Sequence, residues 1–515
     1  MNKKPRLRLW IKLSIVAAVA ITFGIPAVHL VITALHDVNS LQPILSEHAD
    51  DASRLNAARV QEIWSVPAAS DQAESQLTEL LHKAQREQLP VSIAGTRHSM
   101  GGHTIAADGI VIDMLPFKAM KLSADGRVLT VQAGALWDEV IPFLNKHGRS
   151  VAIMQSDSSF SVGGSLSANV HGWQAKRAPI AASVKSFRLL MADGRILQCS
   201  REENPELFSL VLGGYGLFGI ILDAQLWTAA NEWYQVARYS IPAEQYAKTL
   251  QQLVDNDDSV EMVYGRLRVT HKLFLEDAIL TVYRKADRIN QPLPLLEPLA
   301  LDPLKRTVFR SSVGSDYGKR LRWNLEGALG EKVGASIVSR NQLLNSPVSL
   351  YSNRSDEQTD ILHEYFVPAN QLADFLTQVR KIIPQHGLDL LNVTLRDVRE
   401  DKDTFLRYAD QSLIAVVMLF SQARTDRAET DMQNMTSALI DASMIVGGRY
   451  YLPYRPHATQ DQFLQAYPQT ERFVARKRHY DPHGLFSNQF YQRYLTQLKS
   501  DTAEEQSKTP IKPAP

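Results

Sequence analysis

The segment from residue 91 to residue 114, VSIAGTRHSMGGHTIAADGIVIDM, constrains the fold of this chain more than any other. It begins with an apolar run typical of a β-strand, continues as small and polar residues around three glycines, and ends in a second apolar run. Successive backbone N–H groups in such a turn form a concave site for an anion such as phosphate, and Arg97 adds a positive charge. A glycine-rich turn between strands is more often only a turn, so this segment alone indicates an anion site without establishing one.

The composition excludes several classes of function. The 515 residues have a formal net charge of +1 and no basic stripe with interleaved aromatic residues beyond the N-terminal tail, so the sequence predicts no nucleic-acid partner. Cys199 is the one cysteine, which excludes an intramolecular disulfide and an iron–sulfur cluster, and its strand-like surroundings predict a small core residue. The 14 histidines show neither a His-Glu-x-x-His motif nor a paired spacing, so no metal site is expected.

The first 40 residues predict a basic tail and a membrane anchor. Five cations precede an uncharged, mostly apolar run over residues 13–35, which at about 1.5 Å per residue is long enough to cross a bilayer core of roughly 30 Å. The charge asymmetry predicts a single pass with the N-terminus in the cytoplasm and the catalytic body across the membrane, where a bacterial periplasm fits best. A cleaved signal peptide is the alternative, and the length of the run favours an uncleaved anchor.

Beyond a polar stretch over residues 41–59, which we interpret as a linker, short strands alternate with helices. Leucines and alanine at positions 77, 80, 81 and 84 recur at helical spacing and predict a helix over about residues 70–87, leading into the strand before the glycine-rich turn. Strand, helix, strand and turn form an α/β unit. The polar, proline-rich tail over residues 500–515 predicts disorder.

Two further glycine-rich segments follow, FSVGGSLSANVHG at residues 160–172 and LVLGGYGLFGIILDAQL at residues 210–226. Each alone is typical of tight packing on a sheet, but three such segments beside apolar strands are hard to attribute to turns alone. Neither the Rossmann spacing GxGxxG in the first turn nor a GxxxxGK phosphate loop occurs. A bound dinucleotide would therefore require a different fold.

The ordered set AGTRHSMGGH, VQAGALWDEV, SVGGSLSANVHG, MADGRIL and GGYGLFGII resembles the FAD-binding domain of the vanillyl-alcohol oxidase and p-cresol methylhydroxylase (PCMH-type) superfamily. The chain is similar in particular to its branch of sugar-lactone, alditol and cytokinin oxidases and of decaprenylphosphoryl-ribose oxidase. The match covers about residues 60–227 and resumes at GGRYYLPY and YDPHGLFSNQFYQRY. The resemblance implies an α+β chain in which the predicted transmembrane helix is followed by a two-subdomain PCMH-type FAD-binding domain over residues 60–230, an α+β substrate (cap) domain over residues 231–445, and a return to the flavin domain over residues 446–499.

The resemblance also implies FAD as the cofactor. In that family the first turn binds the FAD pyrophosphate, and several members attach the flavin covalently to a histidine that precedes a serine, the place that His98 fills before Ser99. A covalent bond through His98 is favoured over noncovalent contact, although the ribose-oxidase branch binds FAD without one, and His103 is the less favoured site. The residues implied to bind FAD are Ala94, Gly95, Thr96, Arg97, His98, Ser99, Met100, Gly101, Ser158, Gly163, Gly164, Ser167, His171, Gly216, Ile220 and Asn488.

The family's catalytic lysine is missing. Its relatives place a lysine after the GGR-like turn or in a nearby motif, where this chain has Tyr454 followed by Arg455. Oxidation of an alcohol requires a group within hydrogen-bond reach that accepts the hydroxyl proton. The candidates are Tyr454, Arg455 and His457, with Arg396 as a partner for an anionic or polar substrate group. For each of them a structural role is an equal alternative.

Three functions remain open. The leading one is a membrane-anchored FAD-dependent oxidoreductase that oxidises a CH–OH group of a sugar, polyol, sugar acid or lactone and passes electrons to O2, a quinone or another membrane carrier. The alternatives are a flavin-dependent C=C reductase of a lipidic substrate and a flavin-binding protein without turnover, which the missing lysine motivates.

Overall fold

The computed structural model describes residues 24–286, 293–294, 296, 302–333 and 337–498. The α-helices of this part of the chain are α1 (Ile25–His36), α2 (Ser70–Arg86), α3 (Trp137–Asn145), α4 (Val162–Ala168), α5 (Pro205–Val211), α6 (Tyr246–Asp255), α7 (Asp302–Arg310), α8 (Asp316–Val333), α9 (Arg340–Leu344), α10 (Leu372–His386), α11 (Asp426–Ile445), α12 (Gln460–Ala466), α13 (Thr470–Tyr480) and α14 (Gln489–Tyr494).

The strands are β1 (His48–Ala49), β2 (Ala58–Arg59), β3 (Glu62–Ser65), β4 (Val91–Ala94), β5 (Ile110–Asp113), β6 (Met120–Leu122), β7 (Val128–Gln132), β8 (Arg149–Val151), β9 (Val184–Leu190), β10 (Ile196–Ser200), β11 (Ile220–Ala230), β12 (Trp233–Pro242), β13 (Val260–Leu267), β14 (Asp277–Lys285), β15 (Ile337–Ser339), β16 (Gln358–Pro368), β17 (Asp389–Val398), β18 (Leu413–Ala423) and β19 (Arg449–Tyr450). The predicted mixture of helices and sheets is confirmed.

A small parallel sheet carries the first glycine-rich turn. Its order is β3-β5-β4, and the turn begins directly after β4. The predicted helix over residues 70–87 is confirmed as α2, whose Leu77, Leu81 and Ala84 are buried in the core that also holds Val91. This apolar stripe fixes α2 against the sheet, because burying it removes several large side chains from water.

A second sheet carries the other two glycine-rich segments. Its strands follow the order β10-β9-β11-β7-β6, and β8 pairs with the far end of β11. The second segment forms α4, and the third leads into β11. Cys199 is buried in β10, which confirms the predicted core residue. The two sheets therefore place all three glycine-rich segments in one half of the molecule.

The cap is an eight-stranded antiparallel sheet with the order β15-β12-β14-β13-β17-β18-β16-β19. It contains the same unit twice, as β12-α6-β13-β14 and as β16-α10-β17-β18, and in each a Pro-Ala-x-Gln sequence at residues 242–245 and 368–371 leads into the helix. β13 and β17 pair where the two units meet. Since alternate side chains of a strand point to opposite faces, every second residue of these strands is available to line a cavity.

Two regions differ from the sequence predictions at the N-terminal end. Residues 41–59, interpreted as a linker, fold onto the body from His48 onward: β1 pairs with β2, and Asp50, Asp51 and Ser53 between them are buried. The physical reason is that Asp51 accepts a hydrogen bond from the backbone N–H of Gly102 at 2.8 Å, which ties the segment to the glycine-rich turn.

α1 covers only the end of the predicted membrane span. Residues 1–23 and the predicted disordered tail, residues 500–515, lie outside the described residues. Within the ranges that are described, no helix combines the length and apolar character needed to cross a membrane. The helix is fixed to the body at its end, where Arg306 donates to Asp37 at 2.6 and 2.7 Å.

Candidate active site

The three glycine-rich segments meet around one slot of about 220 Å³. Gly95 lies so close to the second segment that a Cβ there would come within 2.0 Å of Ser161 Oγ, which explains the need for glycine. The third segment reaches the second through Tyr215, whose backbone N–H donates to the carbonyl of Ser167 at 3.0 Å. Segments separated by more than a hundred residues are thus neighbours around the slot.

Most of the residues predicted to bind FAD line this slot. They are Ala94, Gly95, Thr96, Arg97, His98, Ser99, Gly163, Gly164, Ser167, His171 and Gly216. Two others belong to the same turn but face elsewhere. Met100 lines the adjoining cavity, and Gly101 packs so closely that a Cβ there would lie 2.6 Å from the carbonyl oxygen of Tyr454.

The remaining three predicted residues do not line the slot. Ser158 is buried behind it. Ile221 lines the slot instead of Ile220, because neighbouring residues of β11 point to opposite faces of the sheet. Asn488 acts on the third segment from outside, since its amide donates to the carbonyl of Tyr215 at 3.1 Å.

Unpaired polar atoms in the slot test whether it fits FAD. Arg97 Nε, Ser99 Oγ and Thr104 Oγ1 are buried and have no hydrogen-bond partner among the described residues, and all three side chains line the slot. Leaving such a group unpaired costs roughly 1–3 kcal/mol, so these atoms call for a ligand rich in acceptors. Arg97 also adopts a φ of 56°, a strained conformation that proteins tend to retain at ligand sites. The slot therefore fits the phosphates and hydroxyls of FAD.

His98 is held in a defined orientation and tautomer. Its ring stacks on Phe160 with centroids 4.2 Å apart, and its Nε2 lies 3.3 Å from the carbonyl oxygen of Ser159. Because a carbonyl oxygen only accepts, Nε2 must carry the proton. Burial lowers the pKa of His98, although the hydrogen bond to Ser159 opposes this shift, so the imidazole is neutral and Nδ1 keeps its lone pair.

A buried carboxylate, Glu364, lies in the slot opposite the glycine-rich turns. His171 Nε2 lies 2.5 Å from Oε1 of Glu364, and the Tyr454 hydroxyl donates to Oε2 at 3.1 Å. Burial alone would raise the pKa of Glu364, but His171, Arg396 and Tyr454 together outweigh burial and lower the pKa below its ordinary value of 4.5. The carboxylate is therefore ionised at neutral pH.

Two of the predicted catalytic candidates, Tyr454 and Arg396, line the slot beside Glu364. Burial and the neighbouring Glu364 raise the pKa of Tyr454 well above its ordinary value of 10, so its phenol stays protonated and donates rather than accepts. Arg396 donates to the carbonyl of His171 and to Ser156 Oγ, both at 3.2 Å. Tyr454 thus positions the carboxylate itself, and Arg396 positions its neighbour His171.

Arg455 and His457 do not line the slot. Arg455 Nε donates to Oε1 of Glu429 at 2.9 Å, and His457 Nε2 lies 2.7 Å from the same oxygen. Arg455 also donates to the carbonyl of Met100 at 3.2 Å. This network supports the first turn from behind, because its hydrogen bonds fix the backbone that forms the wall of the slot.

A larger cavity of about 600 Å³ adjoins the slot on the cap side. Alternate residues of three neighbouring strands line it: Leu362 of β16, Asn392, Thr394 and Arg396 of β17, and Val417 and Leu419 of β18. Asp157 lies where the two spaces join, and burial raises the pKa of its carboxyl.

Sequence reasoning missed Glu364, Asp157 and Phe160. Glu364 stands in the strand sequence HEYFVP, where no motif distinguishes it from an ordinary strand residue. Asp157 and Phe160 immediately precede a motif that was recognised, SVGGSLSANVHG, so their proximity to it was the available signal.

Comparisons with known proteins agree with this geometry. Residues 71–200 match the FAD binding domain family, and residues 335–494 match the D-arabinono-1,4-lactone oxidase family. The chain is 24% identical to cytokinin dehydrogenase 3 of Arabidopsis thaliana over 443 residues, which cover 80% of this chain and 82% of that protein. It is 23% identical to L-gulonolactone oxidase of Bos taurus over 440 residues, which cover 81% of this chain and 92% of that protein.

The slot and these matches together define an FAD-dependent oxidoreductase. More particularly, the chain belongs to the PCMH-type superfamily of FAD-dependent oxidases that includes the lactone oxidases and cytokinin dehydrogenases, as its ordered motifs predicted. The predicted cofactor, FAD, is confirmed.

Proposed function

We propose that this protein oxidises a CH–OH group of a sugar, polyol, sugar acid or lactone, for which FAD supplies the hydride acceptor. The observation that carries the proposal is the wall shared by the slot and the cavity, to which the same side chains contribute on both sides. They are Thr96, Arg97, His98, Ser156, Asp157, Phe160, Leu362, Arg396 and Val417. A substrate in the cavity would therefore touch a cofactor in the slot.

The choice of a CH–OH donor rests on three residues that face the slot opposite the glycine-rich turns. Glu364, Arg396 and Tyr454 all lie within residues 335–494, the region that matches the D-arabinono-1,4-lactone oxidase family. Glu364 serves as the acceptor of the hydroxyl proton of a substrate that extends from the cavity into the slot, because it is the ionised carboxylate that faces the slot. Tyr454 holds this carboxylate in position, and Arg396 holds its neighbour His171.

His98 is the proposed site of a covalent bond to FAD. Its neutral ring, protonated on Nε2, offers the lone pair of Nδ1 as the nucleophile. Stacking on Phe160 limits rotation of the ring, so the direction of this lone pair is fixed. Retention of the cofactor would be the benefit for a protein outside the cytoplasm.

Membrane anchoring through the N-terminal segment completes the proposal. The support is the uncharged run over residues 13–35 with its preceding cations, which favours a single pass with the catalytic body on the periplasmic side. Electrons from the reduced cofactor would then pass to O2, to a quinone or to another membrane carrier.

Anaerobic reduction of the bound flavin tests the proposed reaction. The purified full-length protein is mixed with polyols, sugar acids and aldonolactones, and the visible absorption band of the flavin is followed. At least one of these classes should bleach the band, and NADPH should not. Bleaching by NADPH alone would contradict the proposal and favour the reduction of a C=C bond.

A further inference from the structure

We propose that the substrate cavity takes an amphiphilic alcohol, whose apolar part extends to a mouth that lies on a lipid surface. The proposal deepens the proposed function, on which it rests, by assigning a chemical class of substrate to the same site. It follows from the chemistry of the two ends of the cavity and from what surrounds the outer one.

The cavity opens at an apolar rim. Among the described residues that line it, only Leu41, Ile44 and Tyr351 are exposed, at 38%, 53% and 40%. Two of these three side chains are aliphatic and the third is aromatic, so the entrance of the cavity favours an alkyl chain.

The inner end is polar. Ser156, Asp157 and Arg396 stand at the wall shared with the slot, and Arg396 Nε is buried without a hydrogen-bond partner among the described residues. Between this end and the rim, Trp173 stacks on Tyr264 with ring centroids 4.6 Å apart, and Phe309 is buried in the wall. Arg54, Arg266 and Asp360 also line the cavity, and each is paired with a neighbouring group of the protein. A molecule with hydroxyl groups at its inner end and an apolar chain at the rim matches the two ends of the cavity.

The segment that supplies Leu41 and Ile44 is fixed to the wall of the cavity. Arg306 donates to Asp37 and also to the carbonyls of Ser349 and Ser352, on either side of Tyr351. Ser40 is also hydrogen-bonded to the loop after Tyr351. Its backbone N–H donates to the carbonyl of Arg354 at 2.9 Å, and its hydroxyl both donates and accepts a hydrogen bond there. The rim is therefore a defined surface.

Large apolar side chains are exposed along this segment from residue 25 to residue 45. The large apolar side chains that it exposes besides Leu41 and Ile44 are Ile25, Val28, Val31, Ile32, Leu35, Val38 and Leu45. An exposed apolar patch of this extent marks an interaction surface. The uncharged sequence continues toward the N-terminus to residue 13, beyond the described residues, and a lipid surface is the partner that such a run fits.

Binding of alkyl glycosides tests the substrate class. Full-length protein with its FAD is titrated with n-alkyl β-D-glucosides from ethyl to octyl, below their micelle concentrations, and the flavin difference spectrum gives Kd. We expect Kd to fall about fourfold for each added CH2 group that enters the cavity. A Kd independent of chain length would overturn the proposal.

Substitutions at the rim test where the alkyl chain of the ligand lies. Leu41→Asp and Ile44→Asp should lower the octyl-to-ethyl affinity ratio at least tenfold, and both positions are exposed, so folding is not at risk. The matched control is Ile445→Asp at the end of α11, where the side chain is 80% exposed and lines neither the slot nor the cavity. An equal loss in Ile445→Asp would contradict a tail at the rim.

A fluorescent label tests the lipid surface. Because Cys199 is buried, the variants Ile44→Cys and Ile445→Cys can each be labelled at the new cysteine with an environment-sensitive dye. With the full chain in phosphatidylcholine vesicles, the label at position 44 should shift to the blue and be quenched by a lipid-borne quencher, and the label at position 445 should not. The same emission at both positions would overturn the lipid contact.

These outcomes separate the inference from the proposed function. If soluble polyols bleach the flavin but Kd does not depend on the length of the alkyl chain, the proposed oxidation is supported and the proposal of an amphiphilic substrate is wrong. If Kd follows chain length and no CH–OH donor bleaches the flavin, the binding class stands and the proposed oxidation is wrong.

Discussion

The slot and the adjoining cavity share a wall but are built in opposite ways. The slot is formed largely by runs of consecutive residues in three turns, so the course of the backbone sets its shape. The cavity is formed by alternate side chains of β16, β17 and β18, and its mouth is bordered by the N-terminal segment and the loop before β16. A turn motif tolerates few changes because its backbone must follow one course, whereas single side chains on a sheet can change without altering the fold.

The largest effect is expected at the one carboxylate that serves the chemistry. Glu364→Gln keeps the shape of the side chain and its hydrogen bond to Tyr454 but removes the proton acceptor, so the rate of flavin reduction should fall about 10²- to 10⁴-fold. FAD content should not change. A rate within tenfold of the wild type would show that another group takes the proton.

The pH dependence of the same reaction gives a second measure of Glu364. Its folded pKa lies below 4.5, so the carboxylate is the active form above that pKa and is lost as the pH falls through it. The acid limb of kcat/KM should therefore lie below pH 4.5. An acid limb near neutrality would instead point to a histidine as the acceptor.

The hydrogen-bond network of Glu429, Arg455 and His457 behind the slot should contribute to the free energy of unfolding. Glu429→Gln leaves Arg455 and His457 without their shared carboxylate, and because this ion pair is only partly exposed the loss should be about 2–3 kcal/mol in the free energy of unfolding. The two partners and their hydrogen bonds hold the pKa of Glu429 at about 2 against the opposing effect of burial. Its folded pKa is depressed, so the wild type should lose this stabilisation as the pH falls from 4.5 toward 2. Denaturant unfolding at several pH values should show a shallower acid slope in the variant.

Gly95→Ala tests the backbone character of the slot. The added Cβ would lie 2.0 Å from Ser161 Oγ, so the two glycine-rich segments must separate, at a cost of about 1–3 kcal/mol. The expected result is a lower ratio of FAD to protein in the purified variant, because FAD must first bind in the slot before it can be attached at His98. Gly327→Ala in α8 is the matched control, because a Cβ there meets nothing within 4 Å. Full FAD retention in Gly95→Ala would contradict the close contact.

The smallest effect is expected at the residue that replaces the lysine. Tyr454→Phe removes one hydrogen bond to Glu364 and leaves the carboxylate in place, which corresponds to about a 3- to 10-fold lower rate. Stopped-flow reduction of the flavin measures it. A loss as large as that of Glu364→Gln would make Tyr454 part of the proton transfer itself.

The same contrast explains what the sequence could predict. The slot follows from residue order, so the turn at residues 94–99, the glycines at 163 and 164 and helix α2 were predicted at their positions. Ile220 was displaced by one residue, because the face of a strand depends on a register that the glycine pattern does not fix.

The residues on the catalytic side of the site were harder to predict from the sequence. Glu364 lies in the cap and His171 in the flavin half, and they are 193 positions apart in the chain. Only tertiary folding brings them into contact. Arg455 and His457 follow Tyr454 in sequence, yet the turn at residues 451–457 sends them to Glu429 behind the slot. The repeated Pro-Ala-x-Gln before α6 and α10 is the sequence signal of the duplicated unit in the cap.

Acid precipitation of the purified protein followed by peptide mapping tests most directly whether the first turn holds the flavin. We predict that the yellow colour stays with the protein pellet and that the modified peptide contains His98, while His98→Ala releases the flavin to the supernatant. Attachment to a different residue, or native protein without any flavin, would contradict the account.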